Sequence, residues 1–168
     1  NAKRLAASEG MDIRFTVSPT EELDFPAESF DVITACQCFW YFDPAVLTPV
    51  LHILLSPGGR LVILQLEWLP EEDRIADKSE ELVLKYSPEW TGAGYTRQQV
   101  YVPEKVLERF TLTAHEEYDI MVPFTRESWN GRMKACRGVG ASLTPEEIEK
   151  WEAEHLMMLE KTAPPEFS

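Results

Sequence analysis

The sequence predicts an α/β fold, and three observations carry that expectation. Phe30–Cys36 (FDVITAC) is rich in β-branched and apolar residues and reads as a strand. Val46, Leu47, Val50, Leu51, Leu54 and Leu55 form an apolar stripe at helical spacing. Arg60–Glu67 (RLVILQLE) is a nearly continuous apolar run, which predicts a strand buried on both faces, as in a parallel sheet. Strand, helix and strand in that order make a βαβ crossover, which is almost always right-handed.

The remaining elements follow in chain order. Residues 2–9 (AKRLAASE) read as the end of a helix, stopped by Gly10. Ile13–Ser18 alternates and predicts a short strand. An acidic loop follows, with Glu21, Glu22, Asp24 and Glu28. Pro44 and Pro49 bracket the start of the central helix, and Ser56-Pro57-Gly58-Gly59 stops it, glycine being free to take positive φ. Residues 68–100 hold two prolines and two glycines amid Trp68, Trp90 and Tyr95, with a helix expected over 71–85. Such a long connection after a strand predicts a lid or substrate segment. A short helix over 103–110 and a strand region over 112–124 come next. Two helices close the chain, over 126–137 and from Thr144 to about Lys161. The second opens on Thr144-Pro145-Glu146-Glu147, a capping hydroxyl with proline at the first helical position and glutamate at the third. Ile148, Trp151, His155, Leu156 and Leu159 share one side of it, a packing stripe.

Composition narrows the function classes. With 168 residues and 44% hydrophobic content the chain can build a real core as a single domain. Acids outnumber bases 29 to 16, for a net charge of −13, so nucleic acid is not the expected partner. Arg126, Arg132, Lys134 and Arg137 form the only basic cluster and read as a solvated helix face. Three cysteines, Cys36, Cys38 and Cys136, are no disulfide framework, and the scattered His52, His115 and His155 offer no zinc spacing. The expectations are reduced thiols, a cytoplasmic setting and no metal. No apolar run approaches the ~18 residues of a membrane span. No pair of residues announces acid–base chemistry, so no catalytic residue is assigned.

Three motifs in order resemble a known family. They are Thr20-Glu21-Glu22-Leu23-Asp24-Phe25-Pro26, Ser29-Phe30-Asp31-Val32-Ile33, and Leu51-His52-Ile53-Leu54-Leu55-Ser56-Pro57-Gly58-Gly59-Arg60-Leu61. Together they resemble the class I S-adenosylmethionine-dependent methyltransferases of the "type 11" group, over residues 2–67 and more loosely to about 124. The resemblance implies a partial Rossmann-like sheet, with strands corresponding to the family's third to sixth, followed by C-terminal helices. It also implies S-adenosylmethionine as cofactor and a methyl acceptor, which the aromatic content makes a small organic molecule.

In the family, the end of the fourth strand faces the methionine part of the cofactor. The resemblance therefore places Cys36, Gln37 and Phe39 beside the cofactor, and Trp40 and Tyr41 against the substrate. The alternative for these aromatics is packing under the following helix. Adenine contact would fall to Ser18, the backbone around Thr20, or Glu21, because Pro19 stands where the family often has an acid. Further substrate contacts are expected from Trp68, Trp90, Tyr95, Arg126 and Trp129. A sulfonium is attracted to aromatic faces, and methyl transfer needs positioning and a dry site more than acid–base help.

The family's acidic, glycine-rich loop after the first strand has no counterpart in these residues. From residue 2 onward the chain resembles the helix after the second strand, so the domain reads as incomplete at its N-terminus, and its C-terminus also reads as short. The sheet edge this leaves predicts a homodimer or strand exchange. It also predicts poor cofactor binding by these residues alone. The competing expectation is a non-catalytic, truncated methyltransferase-like domain that self-associates or binds a partner.

Overall fold

The computed structural model describes residues 2–97 and 101–168, and of Glu21 only the backbone. In chain order the elements are α1 (Ala2–Ser8), β1 (Phe30–Cys36), α2 (Pro44–Leu54), β2 (Leu55–Leu64), α3 (Arg74–Tyr86), α4 (Glu104–Leu107), β3 (Phe124–Thr125), α5 (Arg126–Lys134), α6 (Pro145–Thr162) and β4 (Glu166–Phe167). The chain divides into two compact units, Asn1–Gln65 with Tyr101–Ala114, and Leu66–Val100 with His115–Ser168.

The first unit is built on the predicted crossover. β1 and β2 pair in parallel, with Val32 opposite Arg60 and Cys36 opposite Leu64. Asp43 caps α2 by accepting from the Ala45 N–H at 2.8 Å, and Pro44 occupies the first turn, where its missing N–H costs nothing. Pro49 does not open the helix as expected but lies inside it. Leu47, Leu51 and Leu54 fall on one side of α2 and are buried. Ile33, Ala35, Leu61 and Ile63 present one sheet face to a core shared with Phe39, Leu47, Leu51 and Val106. The Ser56–Gly59 turn bulges out of β2 between the pairs Phe30–Leu55 and Val32–Arg60. Gly58 holds φ +79°, and a Cβ on Gly59 would stand 2.9 Å from the Ser56 carbonyl oxygen.

Several expectations fail here for one reason. Ile13–Ser18 forms no strand: among the described residues no chain lies beside it to take its backbone hydrogen bonds, and Val17 is fully exposed. β2 stops at Leu64 rather than Glu67, because its partner β1 turns away after Cys36. The sheet is not buried on both faces, since Val32, Arg60 and Leu64 are exposed on the side away from α2. The expected sheet of four strands is thus a parallel pair within the described residues of this unit.

The second unit is mostly helical. Asp73 caps α3 through the Ile75 and Ala76 N–H groups. Thr125 with Ser128, and Thr144 with Glu147, form capping boxes on α5 and α6, the latter as the sequence predicts. Trp151, His155 and Leu159 of the α6 stripe are fully buried. They meet Ala76 and Val83 of α3, Trp129 and Met133 of α5, and Val139 in one core. Gly138 lies so close to Val83 and Trp90 that a Cβ would stand 2.5 Å from the valine methyl. The strand region expected over 112–124 reduces to Phe124–Thr125, paired antiparallel with Glu166–Phe167. Leu112, Tyr118, Ile120 and Met121 are exposed.

Candidate active site at the end of the first strand

The candidate site sits where β1 ends. Cys36 closes the strand, and the next peptide N–H, that of Gln37, donates to the Leu64 carbonyl at 2.9 Å. Gln37 then adopts φ +58°, a left-handed backbone that costs a non-glycine residue about 1 kcal/mol. Strain of this kind at the carboxyl end of a parallel strand is a recurrent mark of binding sites. The reversal also breaks the alternation that would turn Cys36 and Cys38 to one face. Cys36 is exposed, while Cys38 is half-buried against the core.

A single 3₁₀ turn follows, Phe39–Tyr41. It splits the aromatic run. Phe39 is 1% exposed and anchors the turn in the core beneath α2. Trp40 stands edge-on to it, with centroids 5.6 Å apart, and is 45% exposed; Tyr41 is 62% exposed. Phe39 is therefore a foundation in this structure, and the surface offered to a ligand is Cys36, Gln37, Trp40 and Tyr41. Ser18 is exposed, its hydroxyl turned to the Pro19 carbonyl at 3.0 Å. Thr20 is half-buried in a one-turn 3₁₀ helix lying against α2. The Glu21 side chain lies outside the described residues.

The proposed substrate residues of the second unit are held by its own packing. Trp129 is buried, its indole N–H donating to Ser79 Oγ at 2.9 Å and its ring edge-on to Trp68 and Phe124. Arg126 donates twice to the Ala163 carbonyl, at 3.0 and 2.5 Å. Trp90 is half-buried against the core and closes over Gly92 and Gly138. Tyr95 is half-buried. Trp68 donates to Glu80, a carboxylate only 4% exposed that also accepts from the Gly94 N–H at 2.7 Å. The described part of the 68–100 segment is thus tied to α3, which lies within it. Gln98, Gln99 and Val100 lie outside the described residues.

A buried polar chain escaped the sequence reading. His155 Nδ1 lies 2.8 Å from Asn130 Oδ1, and His155 Nε2 lies 3.0 Å from Ser79 Oγ. Asn130 in turn donates to Glu152, which also binds Lys134. Trp151 stacks on the imidazole at 4.5 Å. Burial holds the His155 pKa down at about 4. The order serine, histidine, asparagine has the connectivity of a nucleophile with its base. Yet Ser79 and His155 are both fully buried, and Ser79 also bonds the Ile75 carbonyl and the Trp129 indole, so the chain is structural. Only the polar Ser79 and His155 on otherwise apolar helix faces could have signalled it.

Known proteins bear on the first unit. Residues 1–63 match the family model described as a methyltransferase domain. This stretch is similar to methyltransferase domains. A demethylmenaquinone methyltransferase from Thermus thermophilus is 37% identical over 65 residues, which cover 38% of this chain and 30% of that protein. The chain therefore spans under a third of that relative's length. No solved structure matches. The class I methyltransferase resemblance carried by the Thr20, Ser29 and Leu51 motifs is borne out. The methyltransferase match covers the whole of β1 and the candidate site after it. Among the described residues no group of His, Cys, Asp and Glu side chains could hold a metal ion, and no helix is long and apolar enough to cross a membrane.

Proposed function

We propose that the protein transfers a methyl group from S-adenosylmethionine to a small organic acceptor, and that the turn after β1 is where cofactor and acceptor meet. The observation that carries this reading is the strained Gln37, with Trp40 and Tyr41 open beside it, within the stretch that matches a methyltransferase domain. Cys36 and Gln37 would border the sulfonium. Trp40 and Tyr41 would wall the acceptor, their faces attracting the cation and keeping water out. Ser18 and the backbone at Thr20 would serve the adenine side. The chemistry is an in-line displacement at the methyl carbon, to which this turn contributes orientation.

The test is an NMR titration of S-adenosylmethionine into the 168-residue chain. The expected result is weak binding, without micromolar affinity, with shifts concentrated at Cys36–Tyr41. A titration that leaves these amides unmoved, or moves only distant ones, would sink the assignment. The cytoplasm is the setting that suits three unpaired thiols. We also propose that β1, paired on one side only among the described residues, associates with a second copy. Light scattering tests this directly, and a monomer at all concentrations counts against it.

A further inference from the structure

The basic cluster contains one member unlike the rest. Arg126 binds the Ala163 carbonyl, Lys134 binds Glu152, and Arg137 is engaged as well. Arg132 takes part in no hydrogen bond or ion pair among the described residues. Its guanidinium instead lies 4.8 Å from the centroid of Trp68. Trp68 is itself fixed, by the bond to Glu80 and by its edge-on contact with Trp129 at 5.7 Å. The arginine is half-buried and braced on an immobilised indole.

Stacking serves only the face of a guanidinium. Its N–H donors lie in the ring plane and still need acceptors, and half-burial raises the cost of leaving them without one. Other arginines without an ion pair among the described residues, such as Arg60, Arg74 and Arg109, are exposed to water, whereas Arg132 is half-buried on Trp68. We propose that Arg132, held by Trp68, binds the carboxylate of a small organic acid. The planar fork matches two carboxylate oxygens. The adjoining aromatic surface of Trp68 suits an apolar or aromatic body behind that group. A phosphate dianion suits the place less. It would meet Glu80 on the same indole and a net charge of −13. The inference does not depend on the methyl-transfer reading.

The experiment follows the Arg132 Nε–H and Trp68 indole N–H resonances of the full chain, without cofactor, while sodium benzoate is added. Benzamide and inorganic phosphate at matched ionic strength are the controls. Benzoate should shift both signals saturably, and both controls should bind about tenfold more weakly. Arg132→Gln should weaken benzoate by about tenfold or more while the remaining spectrum is kept. Should that variant not fold, Arg132→Lys keeps the charge but not the fork, and should still weaken benzoate. No shift in the wild type, equal binding of benzamide or phosphate, or undiminished binding by the folded variant would overturn the proposal. Because no S-adenosylmethionine is present, a failed methyl-transfer assay leaves this site standing, and the converse also holds.

Discussion

The two units stabilise themselves differently. The second encloses Trp151, Met133, Leu159 and Val139 completely and threads a hydrogen-bonded polar chain through them. The first buries one face of a two-stranded sheet and leaves Val32, Ile53 and Leu64 in solvent, each more than half exposed. A two-stranded sheet gains little from its own pairing, so the first unit depends on α2 and α4 for its core. The candidate cofactor turn therefore sits on the less enclosed unit. Binding regions are commonly drawn from the low-stability end of a structure.

The sharpest way to break this comparison is a pair of truncations. Trp151→Ala empties the centre of the second unit and should cost about 3–5 kcal/mol. Val32→Thr touches only the exposed sheet face and should stay within about 0.5 kcal/mol. Chemical denaturation of both variants measures the contrast. Comparable losses would mean that Val32 is covered in solution, as self-association would do.

Acid should distinguish the units next. The His155 pKa is held at about 4 by burial, against an ordinary value of 6.5. Between those values the unfolded chain binds the extra proton, so stability is full above about pH 6.5 and drains as the pH falls toward 4. The whole effect is about 3 kcal/mol. Asn130, Ser79 and the Glu152–Lys134 pair face or adjoin the imidazole, and among the described residues no carboxylate bonds it directly. Glu147, Glu152 and Glu154, whose pKa values are lowered by their hydrogen bonds to Thr144, Lys134 and Lys85, lose their contributions at lower pH, below about 4.5. His155→Gln should flatten the pH 4–6.5 slope in denaturation series followed by tryptophan fluorescence. An unchanged slope would place the sensitivity elsewhere.

Legibility in the sequence followed locality. The crossover, the Asp43 and Thr144 starts and the α6 stripe were readable, because capping and periodicity act within a few residues. The strands expected at Ile13–Ser18 and 112–124 were not, because alternation shows what a strand could bury and never shows whether a partner is there. β2 ends at Leu64 for the same non-local reason. At the site, the family motifs located the turn after β1. They could not separate Phe39, which packs inward, from Trp40, which does not. Nor could spacing foresee that Arg126 would be spent on a carbonyl while Arg132 settled on Trp68.

The smallest expected effect bears most directly on the site. Gln37 holds φ +58° where glycine would be at ease. Gln37→Gly should therefore raise stability slightly, by about 1 kcal/mol or less, since relief of the left-handed backbone is offset by the added freedom of the unfolded chain. Gln37→Val should lower it, because a β-branched side chain fits this conformation worst. If the turn is a cofactor contact, the glycine variant should also lose the S-adenosylmethionine-induced shifts at Cys36–Tyr41 while remaining at least as stable as the parent. Stability and binding moving in opposite directions is the signature of strain kept for function. Should Gln37→Gly destabilise the chain, the glutamine side chain supports the turn by more than its backbone costs, and the strain at the end of β1 would no longer argue for a site.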